Sequence, residues 1–85
     1  MKTKSWDVYI LLCSDNSLYT GISNNPSKRF LDHKNGKGAR YTMQHDPLRI
    51  IHIEKYPTRS AAFKRELEIK SWTREQKIKK LNLKI

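Results

Sequence analysis

A single cysteine, Cys13, is the whole thiol content of this 85-residue chain. No disulfide framework can form within it, and no CxxC pair exists to hold zinc. Long apolar runs are missing as well. There is no 18-residue apolar stretch, and no charged segment leads into an apolar one in the manner of a secretory signal, so neither a membrane span nor a leader is expected. These gaps fit an intracellular, cytoplasmic setting. Negative charge is also scarce, with 8 Asp and Glu against 18 Lys and Arg, a net charge of +10.

That surplus is uneven. From Lys55 onward there are ten basic and three acidic residues, an excess of seven, while Met1 to Glu54 carries an excess of only three. A field of this size favours polyanions, nucleic acid first and an anionic membrane surface second. The plainer reading of the same charge is a solvated basic face. Hydrophobic content of 36%, with two Trp, four Tyr and two Phe, is enough to fold a chain of this length into one small domain with a modest core, residues 1–85. No internal repeat, linker or low-complexity segment interrupts it.

Local pattern predicts the elements. Trp6 to Cys13 reads as a largely buried strand, closed by the polar break Ser14-Asp15-Asn16-Ser17. Leu18 to Ser23 follows as the second strand of an antiparallel hairpin. Asn25 is a helix cap with Pro26 in the first helical position, and the helix runs to about Asn35, where Gly36 supplies a left-handed cap. After a polar connection, "GKGARYTMQHDP", the stretch Leu48 to Tyr56 alternates as a third strand. Thr58 then caps a longer helix, and Thr73 caps a short basic one with a frayed end. The fold class is α/β in the α+β sense: a small three-stranded antiparallel sheet led by a β-hairpin and flanked by helices.

Three features could carry chemistry. In "VYILLCSDNSLYTGIS" the hairpin holds Tyr9 and Tyr19. If Leu11 pairs with Tyr19, Tyr9 lies opposite Gly21 and diagonal to Tyr19, and the glycine leaves open floor beside the phenol. That register needs a three- or five-residue loop or a bulge. A four-residue loop pairing Cys13 with Leu18 would send the tyrosines to opposite faces, and pattern alone does not choose. On the first helix Arg29 and His33 are four apart, bordering a buried Phe30; a guanidinium beside an imidazole suits a phosphate and its proton traffic, or else the pair is a solvated face. On the second helix Ala62, Phe63, Leu67 and Ile69 define an apolar arc with Glu66 in its middle. A carboxylate there is costly unless it is paired, as with Lys70 one turn on, or bound to a cation.

Taken in order, "VYILL", then "YTG" ten positions on, then Arg-x3-His and a later helical Glu, the chain resembles the GIY-YIG nuclease superfamily. The resemblance covers nearly the whole chain. It is closest to short stand-alone bacterial YhbQ-type proteins, through "VYILLCSDNSLYTGIS", "HKNGKGARYT" and "AFKRELEIKSWTREQK", and more distant to UvrC-type repair and Slx-type junction nucleases. It implies a three-stranded antiparallel sheet with helices, and hydrolysis of a DNA phosphodiester with one divalent metal, Mg²⁺ or Mn²⁺. Carried over position by position, Tyr9 and Tyr19 stand in the two motifs, Arg29 and His33 form the basic helix pair, and Glu66 is the metal-binding acid. The implied roles are Tyr19 as general base, if its pKa falls well below about 10, His33 as proton relay, Tyr9 as positioning group and Arg29 as stabiliser of phosphoryl charge.

The motifs depart from the family in detail. They read Val-Tyr-Ile and Tyr-Thr-Gly; Ile22 stands where several relatives carry Lys, and Ile78 near where many carry Asn, with Asn82 the remaining candidate. Lys37, Arg40 and Tyr41 form a cluster that either tracks a phosphate backbone and stacks an unpaired base or is a solvated loop. Arg74, Lys77, Lys79, Lys80 and Lys84 make a candidate phosphate-contact arm. No recognition-helix signature is visible, so contacts position nucleic acid without reading its sequence. Three functions follow: a structure-selective, metal-dependent endonuclease acting on branched, flapped or single-stranded DNA, with RNA as the other nucleic acid; a nucleic-acid-binding module with weak or lost cleavage on the same fold; and a basic module for a membrane or protein that uses the C-terminal helix.

Overall fold

The computed structural model describes residues 5–37 and 45–85. Three strands, β1 (Trp6–Cys13), β2 (Leu18–Ser23) and β3 (Pro47–Tyr56), form one antiparallel sheet in the order β2-β1-β3. The helices are α1 (Pro26–Lys34), α2 (Arg59–Lys70) and α3 (Arg74–Leu81). The apolar run of β1 follows from its central place: it is paired on both sides and almost wholly buried.

The hairpin adopts the register that brings the tyrosines together. Leu12 pairs with Leu18, Leu11 with Tyr19 and Tyr9 with Gly21, leaving a five-residue loop. Within that loop the Asn16 amide donates to the Cys13 carbonyl, and Asn16 takes a positive φ of 68°, tolerable for an asparagine. The pairing of β1 with β3 slips twice, between Ile10 and Leu11 and between Leu12 and Cys13. Each slip inserts an extra β3 residue, which bends that strand.

The period of two divides β1 into two faces. Val8, Ile10 and Leu12 join Leu18, Ala62, Ile69 and Leu83 in the hydrophobic core beneath α2 and α3. Asp7, Tyr9, Leu11 and Cys13 point to the other face, where Tyr9 meets His33 of α1.

The caps read from sequence hold. The Asn25 side chain accepts from the Lys28 amide, the Thr58 side chain from the Ala61 amide, and Thr73 forms a reciprocal capping box with Gln76. Gly36 takes the left-handed conformation with φ of 76° just past α1.

Three expectations need correction. The buried face of α2 is Ala62, Glu66 and Ile69, whereas Phe63 is 46% and Leu67 52% exposed. The helix is rolled by Arg65, which reaches the Glu54 carboxylate on β3 through two nitrogens at 2.8 and 3.2 Å. Glu54 also accepts from Tyr56 and bonds to His52, while Arg65 extends to Glu68 and lies over the Trp72 ring. An ionic clasp decides the rotation that hydrophobicity alone would set differently.

The end of α3 is not frayed. Asn82 takes the left-handed cap at φ 51°, the Leu83 amide returns to the Ile78 carbonyl, and the Leu83 side chain docks in the core. On α1 it is His33, 1% exposed, that is fully buried, and Phe30 is only half so.

Candidate active site

The site begins with a missing side chain. Gly21 sits on β2 directly across from Tyr9, and a Cβ built there would lie 2.7 Å from the Tyr9 hydroxyl, 2.8 Å from its Cζ and 3.0 Å from Cε2 of Tyr19. Only glycine lets the Tyr9 ring fold across β2. The two phenol rings are then 6.3 Å apart between centroids, tilted by 44°.

α1 supplies the third ring. Its cap at Asn25 fixes where the helix starts, and two turns later His33 points into the sheet. The Tyr9 hydroxyl and His33 Nε2 share a hydrogen bond of 2.9 Å, and the His33 ring stands edge-on to Tyr19 at 5.1 Å. Tyr9, Tyr19 and His33 therefore form one cluster on the face away from the hydrophobic core.

Electrostatics differentiate its members. Burial, then the neighbouring Tyr19, raises the Tyr9 phenol well above the ordinary tyrosine range, and the Arg29 guanidinium opposes this only in part. Burial, and next the Arg29 charge, lowers the His33 imidazole. At neutral pH the cluster thus holds a protonated Tyr9 phenol against a neutral imidazole. Arg29 stands one turn before His33 with its side chain 38% exposed and Asp32 3.8 Å away. It also lines a polar cleft of about 190 Å³ with Ser23, Asn24, Asn25, Lys28 and Asp32.

Glu66 comes from α2. It is 8% exposed, and its charge is felt at Tyr9, although it makes no hydrogen bond to the tyrosines, Arg29 or His33 among the described residues. Its Oε2 lies 3.3 Å from Lys70 Nζ, so of the two alternatives for this carboxylate the ion pair one turn along the helix is formed.

The other positions chosen from sequence fare differently. Lys37 is exposed just past α1, and Arg40 and Tyr41 lie outside the described residues. Arg74 donates to the Asn16 carbonyl at 2.8 Å, Lys77 is half-buried with Nζ 3.4 Å from the Thr20 hydroxyl, and Lys80 lies over the Trp72 ring at 5.0 Å. Burial lowers the Lys77 ammonium. All three have partners within the fold, and Ile78 and Leu81 pack against the core. The apolar side of α3 is thereby occupied by the protein itself. Ile22 and Ile78 pack against the core, and Asn82 is a helix cap.

Sequence reading missed the Asn24–Asp32 cleft and the Glu54–Arg65 clasp. The first had a signal in the polar helix start beside Arg29. The second had only the lone acid of a strand that also carries Arg49, His52 and Lys55.

A hairpin thus stacks two phenols over a glycine, backed by a helix bearing Arg and His and a second helix bearing Glu. The family model described as the GIY-YIG catalytic domain matches residues 5–82, and the chain belongs to that family. Its relatives include a UPF0213 protein of Staphylococcus epidermidis, 50% identical over 72 residues that cover 85% of this chain and 88% of that one. A UPF0213 protein of Haloquadratum walsbyi is 51% identical over 70 residues, covering 82% and 79%. Among solved structures, a solution structure of a protein from E. faecalis is 42% identical with a TM-score of 0.66, covering 93% of this chain and 84% of that one. The solution structure of a UPF0213 protein from Bacillus halodurans is 35% identical with a TM-score of 0.59, covering 92% and 83%.

Proposed function

We propose that this protein is a metal-dependent endonuclease that hydrolyses DNA phosphodiesters, choosing its substrate by structure and not by sequence. The observation that carries the reading is the convergence of Tyr9, Tyr19 and His33 over Gly21, with Arg29 beside them. A core built only for packing has no use for three polar rings around a missing Cβ.

The roles follow from the environments. Tyr19 is assigned the proton of the attacking water. Tyr9 keeps its own proton, because burial disfavours the phenolate, and so orients the water or phosphate by hydrogen bonding. As Tyr19 accepts the water's proton it gives up its own hydroxyl proton, and neutral His33, edge-on to Tyr19, is the group assigned to receive it. Arg29 faces the charge that grows on the phosphoryl oxygens as the new P–O bond forms and the old one breaks. The departing oxygen takes its proton from solvent.

Glu66 is the residue that would hold Mg²⁺ or Mn²⁺. Among the described residues no three His, Cys, Asp or Glu side chains gather as a metal cage. One hard carboxylate oxygen donor suits an ion that keeps most of its waters and takes a phosphate oxygen, so the donor set fits. When bound, such an ion supplies a Lewis acid for the phosphoryl group.

The second reading, a nucleic-acid-binding module with little turnover, is favoured by the Glu66–Lys70 ion pair, which competes with a cation for the carboxylate. The test is cleavage of labelled branched, flapped and single-stranded DNA with Mg²⁺ or Mn²⁺ by wild type and Glu66→Gln. Cutting by wild type alone supports the nuclease. Salt-sensitive binding without cutting on any substrate supports the module.

A further inference from the structure

The outer flank of α2 is built in an unexpected order. At helical spacing Arg59, Phe63, Leu67 and Lys70 fall on one stripe, an apolar pair between two cations. Phe63 is 46% exposed and Leu67 52%. The stripe borders Glu66 directly, since Phe63 lies one turn before it and Lys70 is its ion-pair partner. The fold makes this position deliberate in a physical sense: the Arg65–Glu54 clasp holds the opposite side of the helix on β3 and so turns Phe63 outward.

An exposed aromatic beside a buried carboxylate offers a surface for an occupant. A second copy of this chain is disfavoured by charge, because a net +10 molecule would have to press cation-flanked stripes together. A polyanion is favoured by the same charges, and the polyanion that also offers a flat apolar face is a nucleic acid with an unpaired base. Bases paired in a duplex keep their faces stacked inside the helix, so a ring on the outside of α2 can reach only a base that has left the stack.

We infer that Phe63, one turn from Leu67 and between Arg59 and Lys70 on the helix surface, is a stacking platform for an unpaired nucleobase beside the site that Glu66 borders. This rests on the nucleic-acid reading above and deepens it. It gives the substrate selectivity a location: single-stranded or flapped nucleotides are held on α2, while continuous duplex makes backbone contacts only.

The test uses the full chain and a 12-nucleotide single strand carrying one 2-aminopurine, beside a matched duplex, with Phe63→Ala and Phe63→Tyr. Because Phe63 is half-exposed and outside the hydrophobic core, Phe63→Ala is expected to melt close to wild type, which circular dichroism checks. Wild type should quench 2-aminopurine; Phe63→Ala should lose the quenching and bind the single strand about tenfold more weakly. Phe63→Tyr should restore both, and duplex binding should be the same for all three. Equal single-strand binding and quenching by Phe63→Ala would overturn the platform while leaving the nucleic-acid reading intact. A wild type that binds neither probe at low salt would remove that reading and the platform with it. A fall in solution molar mass on Phe63→Ala, with oligonucleotide binding unchanged, would assign the stripe to a second copy instead.

Discussion

The Tyr9 hydroxyl and His33 Nε2 lie 2.9 Å apart across the junction of β1 and α1, each residue only 1% exposed. This one bond ties the central strand to the helix that carries Arg29, and it places a proton donor and acceptor pair at the floor of the site. Most of what the protein is expected to do under perturbation follows from its surroundings.

Gly21 is the condition for that bond. In Gly21→Ala the new methyl would sit 2.7 Å from the Tyr9 hydroxyl, and either the ring or β2 must move. Overpacking of this kind costs about 1–3 kcal/mol. Urea denaturation should show that loss, and cleavage should fall far more than stability because the phenol is displaced. A variant as stable as wild type would mean that the strand yields without strain.

His33 makes stability depend on pH. Its imidazole titrates below the ordinary value of about 6.5, first through burial and then through the Arg29 charge. Between those two pKa values the unfolded chain binds the proton and the folded one does not, so stability rises with pH there. Acidifying from pH 7 through about 6.5 should therefore weaken the fold, by up to about 1.4 kcal/mol per pH unit, levelling off below the folded pKa. Comparing urea midpoints of wild type and His33→Gln from pH 5 to 8 isolates this contribution, and parallel curves would contradict it.

The Glu54–Arg65 clasp also weakens with acid, but in a lower pH window. Burial alone would raise the Glu54 carboxyl, but hydrogen bonds from Arg65, Tyr56 and His52 override it and bring the pKa down to about 2. The stabilisation is complete above the ordinary carboxyl value and is lost as pH falls through about 2. Arg65→Ala should cost about 2 kcal/mol by leaving Glu54 with weaker partners in a largely buried place. It should also let α2 roll, seen as increased protection of Phe63 from oxidative footprinting. Unchanged footprinting would show that packing, not the clasp, sets the helix rotation.

How much of this was legible beforehand depended on the range of the interaction. The caps at Asn25, Thr58 and Thr73 are local, and sequence sufficed to place them. The nature of the hairpin was also readable, but its register hung on loop length, and nothing in Ser14–Ser17 distinguishes a four-residue loop from the five-residue one that forms. The roll of α2 escapes the sequence because periodicity weighs Phe63 and Leu67 as core, whereas Glu54 sits 11 residues from Arg65 on β3. The order of residues along the chain singles out Arg29, His33 and Glu66 as candidates. The burial of His33 and its bond to Tyr9 needed the sheet to be assembled first.

The most direct test of the account is the single-turnover cleavage rate of a flapped DNA by wild type and Tyr19→Phe, with Mg²⁺ at saturating protein. Loss of one hydroxyl at the edge of the cluster should leave DNA affinity unchanged and slow cleavage by roughly 10²-fold or more, as expected when a proton-transfer group is removed. Cleavage by Tyr19→Phe at the wild-type rate would contradict the assignment of the tyrosine cluster as the catalytic centre.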